Sequence, residues 1–528
     1  MHEQELISPR FQSIVSELVS ASGFSLDFPE EVLEQVSKIP LRLSSKERNE
    51  PLRRDLRALP FVTIDDEDAK DFDDAVYIEK RGEGFRLWVA ISDLTHYVPE
   101  GSALDECALQ RATSVYLTFR VLPMFPERLS NHICSLLPGE EKLCLVVEMV
   151  LDAQGRFLDT EIYPAVIQSA ARLTYEAVQA FFDGNPSQQL LPFLPMLENA
   201  RTLASRLRAL RTQRGVLEVQ LAGRRLEYDA QGEPQGVRLC FPKESHGLVE
   251  LFMVCANEAV ARYATRRALP VLFRCHGTPD EKKLLILSNV AKFMGLSMGK
   301  PSPHAFNRLL SLVHGKPEER FFGQLLLRAM KQAVYSEKNE GHYGLASLAY
   351  LHFTSPIRRY PDLWVHRVLK AHWANTLLPA DTTTLAWLAT HCLERERLAI
   401  QLEREVVARG GAYLAEKHLG EVFQATVVGF ARVGCFLELE GLWTEGLIPM
   451  KQFGKQAFFD EKNHCLRLPN RRILQVGMRC TVCICSVHLE QSRVRLKCLS
   501  PLEELGREPK RSKNPQNPPQ ARNEDEDI

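Results

Sequence analysis

Helical spacing of apolar residues dominates the first sixty positions. Ser8 is suited to cap a helix whose first residue is Pro9, and Phe11 begins its apolar face. A second helix is predicted to open at Pro29, where two glutamates follow and favour the positive helix N-terminus. We therefore predict a helical N-terminal extension over residues 1–55.

The period changes to that of β-strands after Pro60. Apolar runs at 61–64 and 75–78 flank an acidic loop, and residues 85–91 alternate as a half-buried strand does. Helical and strand-like segments then alternate along the chain. This pattern predicts an α+β fold, with a mixed α/β domain over residues 56–418.

Beyond Gly420 the alternation has a period of two again. The segments 423–427 and 481–485 are strand-like and are separated by glycine-rich turns, which predicts a small β-barrel over 420–499. Residues 507–528 contain almost no apolar side chain, so we predict a disordered tail.

Composition narrows the class of protein. The chain has 528 residues, of which 45% are hydrophobic and 25% charged, and its net charge is −1. Any nucleic-acid site must therefore be a local patch. We find neither a secretory leader nor a membrane span in the sequence, and we expect no membrane partner. The thirteen cysteines are expected to be reduced, in a cytoplasmic protein.

Cysteines near the C-terminus have two interpretations. Cys480 and Cys483 form a C-x-x-C pair downstream of His464, which is compatible with zinc. Cys483 and Cys485 also alternate with apolar residues on one strand. We predict that these two are core residues of the barrel.

The acidic loop carries the strongest chemical signal. Seven of the ten residues from Asp65 to Asp74 are acidic, and Phe72 is expected to anchor one side of the loop in the core. Most charge runs are solvated surface, which is the alternative. Clustered carboxylates without His or Cys favour a hard cation, Mg²⁺ with Mn²⁺ as the alternative. The spacing lacks the glycine and distal glutamate of an EF-hand.

A second motif, at residues 352–363, contains adjacent arginines. Pro356 and Pro361 bracket Arg358 and Arg359, which fixes the backbone and directs cationic groups toward a phosphate. The alternative is an arginine pair that forms salt bridges at a helix start, and the local sequence weighs the two equally.

These motifs resemble the ribonuclease II and ribonuclease R (RNB) family, and more closely its ribonuclease R branch. Asp65, Asp71, Asp73 and Asp74 match the four-aspartate motif of that family position for position. Further matches follow in order at residues 113–116, 129–136, 171–175, 213–215, 330–333 and 341–363. Residues 420–499 resemble the S1 domain that follows, a five-stranded OB-fold barrel.

The resemblance implies roles for individual residues. It implies metal ligands at Asp65, Asp71 and Asp74. It implies catalytic roles for Asp73, for Arg358 at the scissile phosphate and for Glu403 near the RNA end. It implies RNA contacts by Tyr116, which stacks on bases, and by Tyr175 and Glu250, which read the ribose 2′-hydroxyl.

The barrel adds two candidates for RNA binding. Residues 420–499 hold eleven Lys and Arg against seven Asp and Glu. Phe430 and Phe436 occupy positions suited to base stacking, although each is equally compatible with the core.

The family pattern is broken in two places. Val219 stands where a second stacking aromatic is expected, so one side of the base clamp is predicted to be weak. Only 64 residues, predicted to be helical, precede Asp65. The resemblance therefore predicts a member without the N-terminal cold-shock domains.

The expected function is a Mg²⁺-dependent 3′-to-5′ exoribonuclease that degrades single-stranded RNA to nucleoside 5′-monophosphates without a nucleotide cofactor. The alternative is a catalytically silent RNA-binding scaffold or adaptor of the same fold. The presence of all four aspartates together with Arg358 and Glu403 favours the enzyme. The sequence identifies no protein partner.

Overall fold

A computed structural model describes residues 7–219, 222–316, 318–376, 382–469 and 472–500. The predicted tail at 507–528 lies outside these ranges. None of the helices within them is both long enough and apolar enough to cross a lipid bilayer.

The described residues form twelve α-helices. In chain order they are α1 (Pro9–Ala21), α2 (Glu30–Ser37), α3 (Ser45–Arg48), α4 (Ala103–Arg111), α5 (Tyr175–Phe182), α6 (Leu194–Arg214), α7 (Glu244–Arg266), α8 (Glu281–Phe293), α9 (Pro303–Val313), α10 (Glu319–Ala329), α11 (Tyr360–Trp373) and α12 (Thr382–Lys417).

Strands fall into a central sheet, short hairpins and a C-terminal barrel. In chain order they are β1 (Arg54–Asp55), β2 (Val62–Asp65), β3 (Asp74–Arg81), β4 (Gly84–Ser92), β5 (Val115–Leu117), β6 (Arg120–Leu122), β7 (Glu141–Leu151), β8 (Phe157–Gln168), β9 (Ala171–Thr174), β10 (Gly223–Tyr228), β11 (Pro234–Cys240), β12 (Phe273–Cys275), β13 (Val334–Ser336), β14 (Val422–Ala431), β15 (Gly434–Leu439), β16 (Glu445–Pro449), β17 (Phe458–Asp460), β18 (Cys465–Arg467), β19 (Ile473–Leu474), β20 (Arg479–His488) and β21 (Arg493–Cys498).

The central sheet has the strand order β1-β8-β7-β4-β3-β2-β9. Its middle strands are buried on both faces, so their sequences are nearly continuous apolar runs. Helices α4, α6, α7 and α11 contribute to the large core on one face, and a smaller cluster around Phe61 and Trp88 covers the other. The predicted strands at 61–64, 75–78 and 85–91 correspond to β2, β3 and β4.

The N-terminal helices begin where the local sequence predicts. The Ser8 side chain accepts a hydrogen bond from the Phe11 N–H, and Pro9 is the first residue of α1. Phe11 is fully buried, and its ring lies 5.5 Å from that of Tyr413 on α12. The predicted opening of α2 after Pro29 is confirmed.

The C-terminal unit is a closed barrel of five strands in the order β14-β15-β16-β21-β20, which confirms the predicted fold class. Its core is continuous with helices α8, α9 and α10. At Gly411 on α12, a Cβ atom would lie 2.1 Å from the Thr444 Oγ1 atom of the barrel. A larger residue at this position would force the Thr444 side chain to move, so glycine allows α12 to approach the barrel closely.

The prediction that Cys483 and Cys485 are core residues is wrong. Cys480, Val482 and Ile484 are buried in the barrel, whereas Cys485 is exposed and Cys483 half-buried. Neighbouring residues of a strand face opposite sides, so the more apolar valine and isoleucine take the inner face.

Candidate active site

The four aspartates of the motif lie where β2 ends and β3 begins. Asp65 is the last residue of β2 and Asp74 the first of β3, while Asp71 and Asp73 lie in the connection. The two strands are antiparallel neighbours, with Val62 opposite Val76. This pairing brings Asp65 and Asp74 to the same end of the sheet.

Side chains from three other segments hold the acidic loop. Phe72 is buried, and its N–H donates to the Ser135 hydroxyl, which in turn donates to the Lys70 carbonyl at 2.8 Å. Arg172 donates to the carbonyl oxygens of Asp66, Glu67 and Ala69. Arg225 on β10 forms an ion pair with Asp68. The loop is therefore fixed, and the alternative of a freely solvated loop is excluded.

Burial and mutual repulsion make these carboxyl groups weak acids. Burial, together with Asp74 and Asp71, raises the pKa of Asp65 to about 8. Burial raises the pKa of Asp74 to about 6, although Arg358 and Arg359 oppose the shift. Burial also raises the pKa of Asp71 and Asp73. Burial thus penalises the charged form of each carboxylate, and the nearby arginines offset that penalty only in part.

The structure distinguishes between the two adjacent arginines. Arg359 donates to the fully buried Asp362 at 2.7 Å, so it forms the salt bridge at the start of α11. The side chain of Arg358 is 43% exposed, and its Nε atom lies 3.8 Å from an Asp73 oxygen. Asp73 accepts the Ile357 N–H at 2.8 Å. Arg358 is therefore the guanidinium available to a ligand.

Tyr116 and Glu403 meet at the same place, although 287 positions separate them. Glu403, on α12, accepts the Tyr116 backbone N–H at 2.8 Å. The Tyr116 hydroxyl donates to Asp71 at 3.0 Å, and its ring is 39% exposed. The Arg358 carbonyl accepts the Ser114 N–H at 3.0 Å, which joins this segment to the arginine motif.

Tyr175 lies beside the aspartates, and Glu250 lies one helical turn after His246 on α7. Burial, with Asp74, Asp65 and Asp66, raises the pKa of Tyr175. Its ring stacks on His246, with ring centroids 4.0 Å apart and an interplanar angle of 15°. Glu250 is 67% exposed, and its nearest cation is Arg211 at 4.0 Å. Sequence reasoning missed His246, because nothing local indicates that it meets Tyr175.

The base-stacking prediction for Phe430 is wrong. Its ring is 6% exposed and lies in the barrel core near Phe459, at a centroid distance of 6.3 Å. A register shift between Val427 and Gly429 in β14 turns Phe430 inward, whereas simple alternation would place it outside. Phe436 is half-buried on β15, so its RNA contact stays a prediction.

Val219, which stands at the expected second aromatic position, is partly buried. It packs against the core shared by α8–α10 and the barrel. Val219 thus contributes to the packing of this core. That one side of the base clamp is weak stays a prediction.

The carboxylate oxygens of the four aspartates suit a hard cation. Among the described residues, no three His, Cys, Asp or Glu side chains are already arranged around a metal position. In these ranges, Asp65 and Asp74 carry raised pKa values and accept no side-chain hydrogen bond. Oxygen-only donors fit Mg²⁺ or Mn²⁺ and do not fit zinc.

Comparison with known proteins shows to which family this chain belongs. The model of the RNB domain matches residues 53–375. The chain belongs to the RNB family. The matched range contains the four aspartates, Tyr116, Tyr175 and Arg358, whereas Glu403 and the barrel follow it.

Individual relatives agree with this assignment. The chain is 39% identical to ribonuclease R of Thermotoga maritima over 83% of its own length and 63% of that protein, so it spans less than two thirds of this relative. The structure of Mycoplasma genitalium ribonuclease R in complex with ribose-methylated single-stranded RNA matches with a TM-score of 0.86 and 27% identity, over 93% of this chain and 78% of that one. Yeast Ssd1, described as a pseudonuclease, shares the fold alone, with a TM-score of 0.70 and 19% identity over 87% of this chain and 58% of that one.

Proposed function

We propose that the protein is a divalent-metal-dependent 3′-to-5′ exoribonuclease that hydrolyses single-stranded RNA to nucleoside 5′-monophosphates. One observation carries the proposal. Four aspartates from β2, β3 and their connection lie beside Arg358, which forms an ion pair with one of them, Asp73. The adjacent Arg359 is instead held by its salt bridge to Asp362. Tyr116 and Glu403 border the same space.

Arg358 is suited to bind the scissile phosphate. Its guanidinium is half-exposed and donates to the Ser355 hydroxyl at 3.1 Å, which holds it next to Asp73. A donor fixed in this way can stabilise the negative charge that develops on a phosphate during hydrolysis. Asp73 is oriented by the Ile357 N–H and balances the guanidinium while no RNA is bound.

We assign metal binding to Asp65, Asp71 and Asp74, with Mg²⁺ as the cation and Mn²⁺ as the alternative. When bound, the cation would neutralise these carboxylates, activate water and act as a Lewis acid toward the phosphate. The Tyr116 hydroxyl holds the Asp71 carboxylate in position. The three side chains are half-buried, which leaves them accessible to a cation.

RNA is the proposed substrate because aromatic and polar groups surround the acidic site. The exposed ring of Tyr116 offers a face for base stacking, which contributes about 1–3 kcal/mol per base. Tyr175 is placed by its stack on His246 close to Asp65 and Asp74, where its hydroxyl can contact a ribose. Glu250, which is exposed on α7, is also assigned to ribose recognition.

A catalytically silent RNA-binding scaffold is the second candidate, because yeast Ssd1 shares this fold and is described as a pseudonuclease. The intact charge set argues against it here. Buried carboxylates that repel one another destabilise a protein unless a cation compensates them, so a silent site is expected to lose some of them.

The experiment is a time course with and without Mg²⁺ on single-stranded RNA, 5′-labelled to follow shortening on a sequencing gel and uniformly labelled to identify the released nucleotides by chromatography. The enzyme predicts Mg²⁺-dependent shortening from the 3′ end and release of nucleoside 5′-monophosphates. RNA that is bound but never shortened would favour the scaffold. Internal cuts, or products with 3′-phosphates, would contradict the proposed chemistry.

The cytoplasm is the proposed compartment. All thirteen cysteines are free thiols, including the exposed Cys240 and Cys485. A chain of this size without disulfides suits a reducing environment.

A further inference from the structure

Arg172 lies on β9, beside the strand that leads into the acidic loop. β9 and β2 are parallel neighbours, and Arg172 is paired with Thr63, two residues before Asp65. Its side chain is half-buried, and its Cζ atom lies 5.2 Å from the ring centroid of Phe72, which is buried at the far end of the loop. A guanidinium from β9 thus lies against the loop that carries the aspartates.

One terminal nitrogen of Arg172, Nη2, contacts three carbonyl oxygens of the loop backbone. It donates to Asp66 at 3.0 Å and to Glu67, and it lies 3.5 Å from the carbonyl oxygen of Ala69. The Ala69 N–H donates to the Asp66 carbonyl at 3.1 Å, so these residues form a closed turn. Arg172 therefore fixes the turn that directly follows Asp65.

Other contacts hold different parts of the loop or hold it less firmly. Ser135 bonds to the loop backbone after the turn has ended. Arg225 contacts Asp68 through side chains that are both exposed, so this ion pair contributes little to stability. The backbone of the turn therefore depends mainly on Arg172.

We propose that Arg172 is a positioning residue of the metal site, which holds the turn so that the carboxylates of Asp65 and Asp71 face the same cation. The inference rests on the proposed function in taking these aspartates as metal ligands. The acidic side chains of the loop repel one another, and the bonds from Arg172 to the backbone oppose their separation. These bonds use no carboxylate oxygen, so the carboxylates stay free for the cation.

The charge of Arg172 acts in the opposite direction from its hydrogen bonds. Burial raises the pKa of Asp65, and the nearby Arg172 opposes that rise. A positive charge close to the aspartates also repels a metal ion, so the loss of charge alone would strengthen cation binding. Loss of the backbone bonds should instead weaken it, because the ligands are no longer held together. The sign of the change therefore separates positioning from simple electrostatics.

The test measures the Kd of Mn²⁺ by electron paramagnetic resonance on the whole protein without RNA. Arg172→Met keeps an apolar stem but cannot donate a hydrogen bond. We expect its Kd to rise about 10–100-fold, the usual effect of removing a residue that orients a metal ligand. Asp65→Asn/Asp74→Asn should abolish this binding, which identifies the Mn²⁺ that the aspartates hold.

Arg172→Lys tests whether a terminal donor is enough. Lysine also ends in a single nitrogen that can donate to several oxygens. The Nε atom of Arg172, which lysine lacks, is buried without a hydrogen-bond partner. Arg172→Lys should therefore restore most of the affinity for Mn²⁺ that Arg172→Met loses.

Arg128→Met is the matched control. The Arg128 guanidinium is also half-buried, and it donates to the backbone carbonyl oxygens of Val36 and Ile39 at the end of α2. Its loss should lower stability to a similar extent without changing the Kd of Mn²⁺. Urea unfolding of both methionine variants checks that they are folded under the assay conditions.

Hydrolysis of RNA gives a second readout through its dependence on Mg²⁺. The half-saturating Mg²⁺ concentration of Arg172→Met should rise by the same factor as the Kd of Mn²⁺. Saturating Mg²⁺ should then restore most of the wild-type rate, because Arg172 does not contact the RNA in this account. A rate that stays low at saturating Mg²⁺ would overturn the inference.

An unchanged or lower Kd of Mn²⁺ in Arg172→Met would also overturn it, as would an equal rise in Arg128→Met. Failure of the proposed function gives different results. A wild-type protein that binds no Mn²⁺ at the aspartates would refute the proposed metal site and this inference together. A protein that binds Mn²⁺ there but never cleaves RNA would refute the proposed enzyme, and the Kd values would still decide the role of Arg172.

Discussion

Adjacent arginines that differ only in their surroundings allow activity and stability to be perturbed separately. Arg358 is 43% exposed, and its one direct side-chain hydrogen bond goes to the Ser355 hydroxyl. Arg359 is held by Asp362, whose side chain is fully buried and also accepts the Ser355 N–H at 2.8 Å. We therefore expect Arg358→Ala to impair hydrolysis and Arg359→Ala to impair folding.

The expected magnitudes follow from these contacts. Loss of one preorganised transition-state donor reduces the rate by about 10²–10³, or about 2.7–4 kcal/mol. Loss of the Ser355 hydrogen bond and of the half-exposed 3.8 Å ion pair with Asp73 should lower the free energy of unfolding by about 1–2 kcal/mol. Arg359→Ala leaves the Asp362 carboxylate buried without its cation, which costs about 3–5 kcal/mol.

The assay is single-turnover hydrolysis of 5′-labelled RNA at saturating protein, paired with urea unfolding of each variant. Arg358→Lys serves as a further control, because it keeps the charge but loses the bidentate geometry. A folded Arg358→Ala protein with less than a tenfold loss in rate would refute the assignment. So would an Arg359→Ala protein of wild-type stability that has lost hydrolysis.

Further perturbations test the rest of the site and the fold. Asp73→Asn should abolish hydrolysis while RNA binding, measured by filter retention, stays near the wild-type value; full turnover would contradict its catalytic role. Mg²⁺ should raise the Tm, by the equivalent of about 2.7 kcal/mol at a hundred times its Kd, and Asp65→Asn/Asp74→Asn should remove that shift. Burial alone would raise the pKa of Asp93, but Lys370 and neighbouring Arg53 outweigh it and lower the pKa. The ionised carboxylate therefore stabilises the fold above about pH 4. The loss of stability caused by Asp93→Asn should be constant near neutral pH and become smaller below about pH 4. A loss of stability that grows on acidification would refute this account.

Short-range signals explain why much of the fold was predictable. The cap formed by Ser8, the opening of α2 after Pro29 and the alternation in β4 depend on residues within a few positions of one another. The acidic loop was recognisable for the same reason, since seven acids in ten positions between two strands is a local pattern. The motifs indicated the RNB family, which the domain match over residues 53–375 then confirmed.

Packing decided the features that local patterns left open or gave wrongly. The register shift before Gly429 reversed the face of Phe430, and the buried Val482 and Ile484 turned Cys485 outward. A single irregularity in a strand exchanges the inner and outer faces, so alternation alone cannot assign them.

The amino-acid sequence was enough to predict most of the helices and strands, the acidic cluster and the family to which the motifs belong. The folded structure was needed to show that Arg359 binds Asp362 and leaves Arg358 available, and that Glu403 holds the backbone of Tyr116. The folded chain alone brings α12 against the barrel, where Gly411 meets Thr444. These features join residues far apart in the chain, and their energies depend on burial and on distances that only the folded chain fixes.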